Sequence, residues 1–314
     1  MYFVRPAFFL LLLAICGLDV ALTFVLPHQI AYAAIAPLVG VGLIAALGWA
    51  GFLGVAHALR GTLSWAAAPI RVAAALCEAL TLFVVMTAGM RVLDYLSKGT
   101  SLPLADDWLA RADTSLGFDW RAYFNFVGAH PGLHGPMTTA YLWLNTAAAL
   151  LMLGLAIAGR HGRVRQFAEA GILCGAVCLI GGAFFPAIGA AAHWIPDYPD
   201  PQSHAGFAQM PGIVFVNDIL ALRRLDTPMQ VGTTPLLGLV SMPSMHTAVG
   251  VLMIAVARRT WLFWPAFGYG TVMISATPVW GGHYLVDLIA GAALALASAA
   301  VVAWRPRSAP EDGR

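Results

Sequence analysis

SMPSMHTAVG (Ser241–Gly250) and GGHYLVDLIAG (Gly281–Gly291) each set a histidine where a long apolar run begins, beside small and polar residues. His283 and Asp287 are four residues apart, so on a helix they share one face, one turn from each other. A carboxylate there accepts from one imidazole nitrogen, fixes the tautomer and leaves the second nitrogen as a nucleophile. His246 follows Ser244 by two residues and falls in the first turn of its own helix. Free backbone N–H groups and the positive end of the helix favour an anion there, phosphate above all. An oriented nucleophilic histidine, with a second histidine beside an anion site, describes a centre for phosphoryl transfer.

Both motifs lead into segments of membrane length, and the rest of the chain has the same character. Of 314 residues, 60% are hydrophobic and 10% charged, with a mean hydropathy of +0.78. That charge is too sparse for the surface of a soluble domain, so the composition is that of a polytopic membrane protein. Apolar runs lie near residues 6–26, 30–59, 72–95, 137–159, 167–189, 244–257, 261–280 and 283–304. They predict an all-α integral membrane bundle of about eight spanning helices. The expected organisation is two N-terminal helices (1–69), a six-helix catalytic core (70–304) and a short cytoplasmic tail (305–314). The first run could alternatively be a signal peptide, with Arg5 in front and cleavage at Ala31–Ala33. Its length, and a second run following almost at once, speak against that.

A net charge of +2 gives no reason to expect nucleic acid. Cys16, Cys77, Cys174 and Cys178 all lie inside apolar runs and read as small buried hydrophobes, not as disulfides or a zinc set. No metal or cofactor is expected, and nothing in the sequence speaks to oligomeric state.

Arginines in the short loops set the orientation. Arg5, Arg60, Arg71, Arg160, Arg163, Arg165, Arg258, Arg259, Arg305 and Arg307 fall on one side, which puts both termini in the cytoplasm. The two long loops (96–136 and 190–243) and both histidine motifs then face outward, so the chemistry is expected at the non-cytoplasmic membrane boundary. Lys98 is the only lysine; such a bias goes with GC-rich genomes, and a bacterial inner membrane is the expected location. Acids and aromatics in the first loop predict a short interfacial helix around Leu104–Ala112, either a lid over the site or packing between helices. The second loop is irregular, with a short helix expected at Val216–Arg224. His193, Asp197, Asp200 and His204 match no ligand spacing. Arg91, Asp94 and Lys98 recur at helical spacing and are expected to pair with one another, the alternative being that Arg91 helps to hold phosphate. Trp65, Tyr141, Trp143, Trp194, Trp261, Trp264 and Trp304 read as aromatic-belt anchors.

The motifs P-S-M-H-T (Pro243–Thr247) and G-H-Y-x-x-D (Gly282–Asp287) resemble two signatures of the type 2 phosphatidic acid phosphatase superfamily. The H-Y-x-x-D form, the segment LGLVSMPSMHT and the D-x-x-L-x-x-x-D-x-x-L-G-F-D pattern from Asp106 to Asp119 are most similar to its inositol phosphorylceramide synthase branch. The resemblance covers the chain from about residue 70 onward. It implies a metal-independent enzyme in which His283 attacks phosphorus, Asp287 orients it, and His246 serves as acid and then base. In the superfamily a basic motif upstream of the first histidine motif clamps the phosphate. That motif is absent here, and the adjacent pair Arg223 and Arg224 is the basic feature of the loop. Ser244, Gly282 and one of these arginines are therefore the expected phosphate holders. Many family phosphatases carry an arginine six residues before the second histidine, where this chain has Thr277. One charge fewer suits a phosphodiester better than a monoester dianion.

The implied reaction moves a phospho-headgroup, phosphoinositol in that branch, from a membrane phospholipid to a lipid hydroxyl. With water as acceptor the same site is a lipid phosphate phosphatase. A transporter using the histidines as proton relays would place ionisable groups in mid-span, whereas these open helices on one side. A bis-histidine haem protein would leave Ser244 and Asp287 without a role.

Overall fold

The computed structural model describes residues 5–25, 29–30, 36–58, 64–99, 102–195, 211–224, 230–231 and 238–303. Apart from a two-residue parallel pairing of Gln29–Ile30 with Gln230–Val231, the described residues form helices and their connections. Helices α1 (Pro6–Val25), α2 (Ala36–Ala58) and α3 (Ser64–Lys98) cover the first three apolar runs. Two short amphipathic helices follow, α4 (Asp106–Ser115) and α5 (Trp120–Gly128). The fourth run is a broken rod, α6 (His134–Leu142) and α7 (Leu144–Ile157), bent by 64° at Trp143. Then come α8 (His161–Phe184), the short α9 (Ala190–Trp194) and α10 (Pro211–Leu222). The chain closes with α11 (Met245–Ala257), α12 (Phe263–Trp280) and α13 (Leu285–Ala303). Within the described residues each of the eight apolar runs is largely helical.

Among the described residues α8 and α13 are each long and apolar enough to cross a membrane, and the bent α6–α7 pair makes a third such span. Large apolar side chains cover the outside: Phe24 is 85% exposed, Ile157 69% and Leu296 60%. Only a lipid solvent accepts such a surface without cost. The protein is an all-helical integral membrane protein.

In lipid the hydrophobic effect does not draw helices together, so close contact depends on small residues. Gly171 and Gly175 of α8 face Met86 and Met90 of α3, and Gly250 of α11 faces Met273 and Ile274 of α12. The closest approach to another segment's backbone is at Gly291 on α13, where a Cβ would lie 2.3 Å from the Ser244 carbonyl oxygen. Any larger residue there would push the two motif helices apart.

A polar latch joins α3 to α8 and to the segment before α11. Buried Lys98 donates to the Gly182 carbonyl (2.8 Å) and pairs with Asp94 (3.5 Å), while Asp94 accepts from the Leu239 amide (2.5 Å). The expected pairing thus joins Asp94 to Lys98, and Arg91 on the same helix lines a cavity described below.

At the end where α8 begins and α11 and α13 finish, Arg160, Arg163, Arg258 and Arg259 gather. Nearby, Arg5 binds the buried Glu169 through its backbone and guanidinium (2.8 and 2.9 Å) and donates to the Val302 carbonyl (3.1 Å). Both histidine motifs lie at the opposite end. Arg60, Arg305, Arg307 and Trp304 lie outside the described residues.

Candidate active site

Helix α13 opens in an environment where its first amides are already matched. Asp287, in its first turn, reaches back to accept from the Tyr284 amide (3.0 Å), as the third residue of a capping box does. The Leu285 and Val286 amides donate to the two carboxylate oxygens of Asp113 (2.8 and 2.9 Å), supplied by α4 from 172 residues away. A carboxylate at this helix end is favoured by the dipole as well as by the hydrogen bonds. His283 sits just outside the helix, yet its Nδ1 lies 3.3 Å from Asp287 Oδ2. The carboxylate accepts only, so Nδ1 carries the proton and Nε2 has its lone pair. Ser241 donates to the same Asp287 oxygen at 2.7 Å, and the Ser244 amide donates to the Asp287 carbonyl at 3.0 Å. The two motifs are therefore bonded to each other through Asp287, which is fully buried.

Glycine is required just before this centre. Gly282 has φ +62°, its carbonyl accepts from the Ala190 amide (2.6 Å), and a Cβ would press on Phe215 of α10 at 3.3 Å. This left-handed turn carries the chain from the end of α12 to His283.

Helix α11 opens differently. Ser244 is its N-cap and accepts from the Thr247 amide at 3.3 Å, a cap supplied within the motif. His246 occupies the second position of the helix, stacked on Tyr141 with ring centroids 4.1 Å apart and planes within 6°. His246, His283, Tyr141 and Arg91 all line one cavity of about 240 Å³. The rest of its wall is mainly apolar and includes Met86, Met90, Met152 and Phe167 from α3, α7 and α8. A phosphate at the histidines would thus adjoin an apolar space running between membrane helices.

Helix α4 clasps the second motif. Asp106 accepts from the Tyr284 hydroxyl (2.9 Å) and from the Ile188 and Gly189 amides (3.0 and 2.9 Å). One face of α4 therefore holds Tyr284 through Asp106 and the start of α13 through Asp113. Burial raises both carboxyl pKa values from the ordinary range, against the hydrogen bonds that favour the charged forms. From α5, Trp120 bonds the Pro278 carbonyl (3.2 Å) and Tyr123 the Ser275 carbonyl (2.7 Å). The helix predicted near Leu104–Ala112 forms slightly later, and what it holds is the segment just after His283.

Of the residues singled out in the sequence, the structure brings together His283, Asp287, His246, Ser244 and Gly282. Arg223 and Arg224 are not among the cavity's lining residues. Arg223 donates to the Leu102 carbonyl (2.5 Å), and Arg224 is exposed just beyond α10. Thr277 is buried, with its hydroxyl on the Met273 carbonyl (2.9 Å). Tyr141 is the clearest departure: it does not anchor a belt but is 8% exposed and packed on His246, whereas Trp143 and Trp264 are exposed as belt residues are. A Cβ on Gly281 would meet both the Tyr141 hydroxyl (2.7 Å) and His283 Cδ2 (2.6 Å), so these two groups flank one glycine. Helix position gave no hint of this, because Tyr141 lies at the bend between α6 and α7. Among the described residues no three His, Cys, Asp or Glu side chains gather as a metal set; Asp197, Asp200 and His204 lie outside them.

Fold and site together define a membrane-embedded enzyme of phosphate esters built on paired histidine motifs. The family model of the PAP2 superfamily matches residues 107–301, well over half of the chain, and the protein belongs to that superfamily of lipid phosphate phosphatases and phosphotransferases. No curated protein and no solved structure matches it.

Proposed function

We propose that the protein is a lipid phosphotransferase working through a phosphohistidine, on a phosphodiester donor of the phosphoinositol-lipid type. Nε2 of His283 attacks phosphorus as the bond to the donor's lipid oxygen breaks, and His246 gives its proton to that oxygen. Asp287 holds the His283 ring through Nδ1 and stabilises the charge it acquires. A lipid hydroxyl then loses its proton to His246 and attacks phosphorus, and the P–N bond breaks. Ser244 as the cap of α11 and Gly282 as the left-handed turn before His283 set the two histidines about the phosphate. Arg91 takes the place first expected of Arg223 or Arg224, since it lines the histidine cavity. No metal enters this scheme.

The observation that carries the reading is the pair of histidine rings on one cavity, one ring fixed by a buried carboxylate. Transfer is favoured over hydrolysis by the cavity's single arginine among the described residues and its mainly apolar wall. That wall suits a singly charged diester and a lipid acceptor. The resemblance to inositol phosphorylceramide synthases points the same way. The centre faces away from the cytoplasm of a bacterial inner membrane in this reading, following the arginine distribution. A lipid phosphate phosphatase is the second reading, with water replacing the lipid acceptor.

The test is turnover of purified protein in mixed micelles with excess chelator, on a panel of phospholipids and isoprenoid phosphates. Each donor is offered with and without a ceramide or diacylglycerol acceptor, and His283→Ala is run alongside. A new lipid product that needs the acceptor and is lost in the variant is the expected result. Inorganic phosphate released without an acceptor makes the protein a phosphatase. Turnover in His283→Ala equal to wild type overturns the phosphohistidine.

A further inference from the structure

At the end of the bundle opposite the histidines, α8, α11 and α13 border a second, open cavity of about 770 Å³. Its rim carries Arg160, Arg163, Arg258 and Arg259, and among the described residues no aspartate or glutamate lines it. The nearby acid, Glu169, is already neutralised by Arg5 at 2.7 Å. Arg163 spends one nitrogen on the carbonyls of Val256 and Arg258, which fixes it across the turn after α11. Arg160, Arg258 and Arg259 are exposed. Below the rim the floor is apolar, formed by Leu252 and Val256 of the bundle core and by Ala299.

We infer that this cavity is a non-catalytic site for the headgroup of an anionic phospholipid. Guanidinium groups match phosphodiester oxygens in pairs, and basic pockets between helices at the cytoplasmic face are where such headgroups are recognised. The volume lies within the range of small-ligand sites. The basic rim binds the phosphate while the apolar floor takes the glycerol and the first acyl carbons, which is the profile of a lipid and not of a free anion. Arginines that served only to orient the chain would need no cavity with an apolar floor. The inference is independent of the catalytic reading, because none of these residues touches the histidine cavity.

The experiment is thermal unfolding of the full chain in neutral detergent, titrated with phosphatidylglycerol, phosphatidylcholine or inorganic phosphate. Wild type is compared with His283→Ala and with the triple variant Arg160→Gln/Arg258→Gln/Arg259→Gln, whose changed side chains are exposed. Phosphatidylglycerol should raise Tm saturably in wild type and equally in His283→Ala. The triple variant should need at least tenfold more lipid for the same rise. Wild-type circular dichroism in the unliganded triple variant ensures that a lost response reports binding. An equal response to phosphatidylcholine, or an unchanged response in the triple variant, overturns the site. Loss of the response in His283→Ala assigns the effect to the catalytic cavity and overturns it too. The same rise with inorganic phosphate overturns the lipid assignment in favour of a free anion.

Discussion

The two motif helices start alike in sequence and unlike in structure. Helix α11 is capped from within by Ser244 and presents His246 to the cavity. Helix α13 is capped from a distance, its first amides taken by Asp113 and its own Asp287. Anion attraction at the start of α13 is thus satisfied by protein carboxylates, which take the Tyr284, Leu285 and Val286 amides. The lesson is one of division of labour. In the proposed mechanism the α13 end fixes the nucleophile in place, and the α11 end is left to meet the anion and move the proton.

The sharpest way to break that comparison is to remove each histidine in turn and change the leaving group. An aryl phosphodiester releases a phenolate that needs no proton, so the first step with it should depend on His283 and hardly on His246. His283→Ala should lower turnover of natural and aryl donors by about 10³ or more. His246→Ala should lower natural-donor turnover by about 10²–10³ yet still form an acid-labile phosphoenzyme with the aryl donor. Trapping and mapping that adduct by mass spectrometry checks it. An adduct on His246 would reverse the two roles.

A smaller effect separates the two caps. Ser244→Ala removes a neutral local cap worth about 1 kcal/mol. Asp113→Ala strips a charged acceptor from two amides, about 3 kcal/mol, and frees the loop that aims His283. Asp113→Ala should therefore lower Tm further than Ser244→Ala and reduce turnover at least tenfold, although Asp113 touches no reacting atom. Equal losses in Tm would show that the clasp from α4 contributes nothing beyond an ordinary cap.

What the sequence made legible follows the range of the interactions. Helical periodicity and local spacing announced the helical runs and the His283–Asp287 contact, because each is decided within a turn or two of chain, whereas Ser244 was read as a phosphate holder and proves to be the cap of α11. The Asp113 clasp spans 172 residues, and spacing alone could not tell a lid from filler in that loop. Arg91 was read first as one of three ionisable residues pairing at helical spacing and as a phosphate holder only in the alternative, because which of them pair depends on Gly182 and Leu239 from other segments. Arg223 and Arg224 drew attention as the basic pair in a loop. Charge alone does not say what a guanidinium faces, and Arg223 faces the Leu102 carbonyl. Tyr141 was misread for a related reason. An aromatic near a helix end is an anchor when the end meets lipid headgroups, but the bend at Trp143 turns this one inward against His246.

Tyr141 also tests how far the α11 end alone manages the proton and the anion. Its ring stacks flat on His246 and its hydroxyl flanks the same glycine as His283, so loss of ring and loss of hydroxyl should have different effects. Tyr141→Phe keeps the stacking and removes only a donor placed where charge builds on phosphorus oxygens. It should lower kcat about tenfold with KM nearly unchanged, since such a donor acts mainly in the transition state. Tyr141→Leu also removes the surface that orients His246, and should lower kcat further and blunt the pH dependence of turnover. If Tyr141→Phe leaves kcat unchanged while Tyr141→Leu does not, the residue only packs His246, and the charge on phosphorus is met by the α11 amides and Arg91 alone.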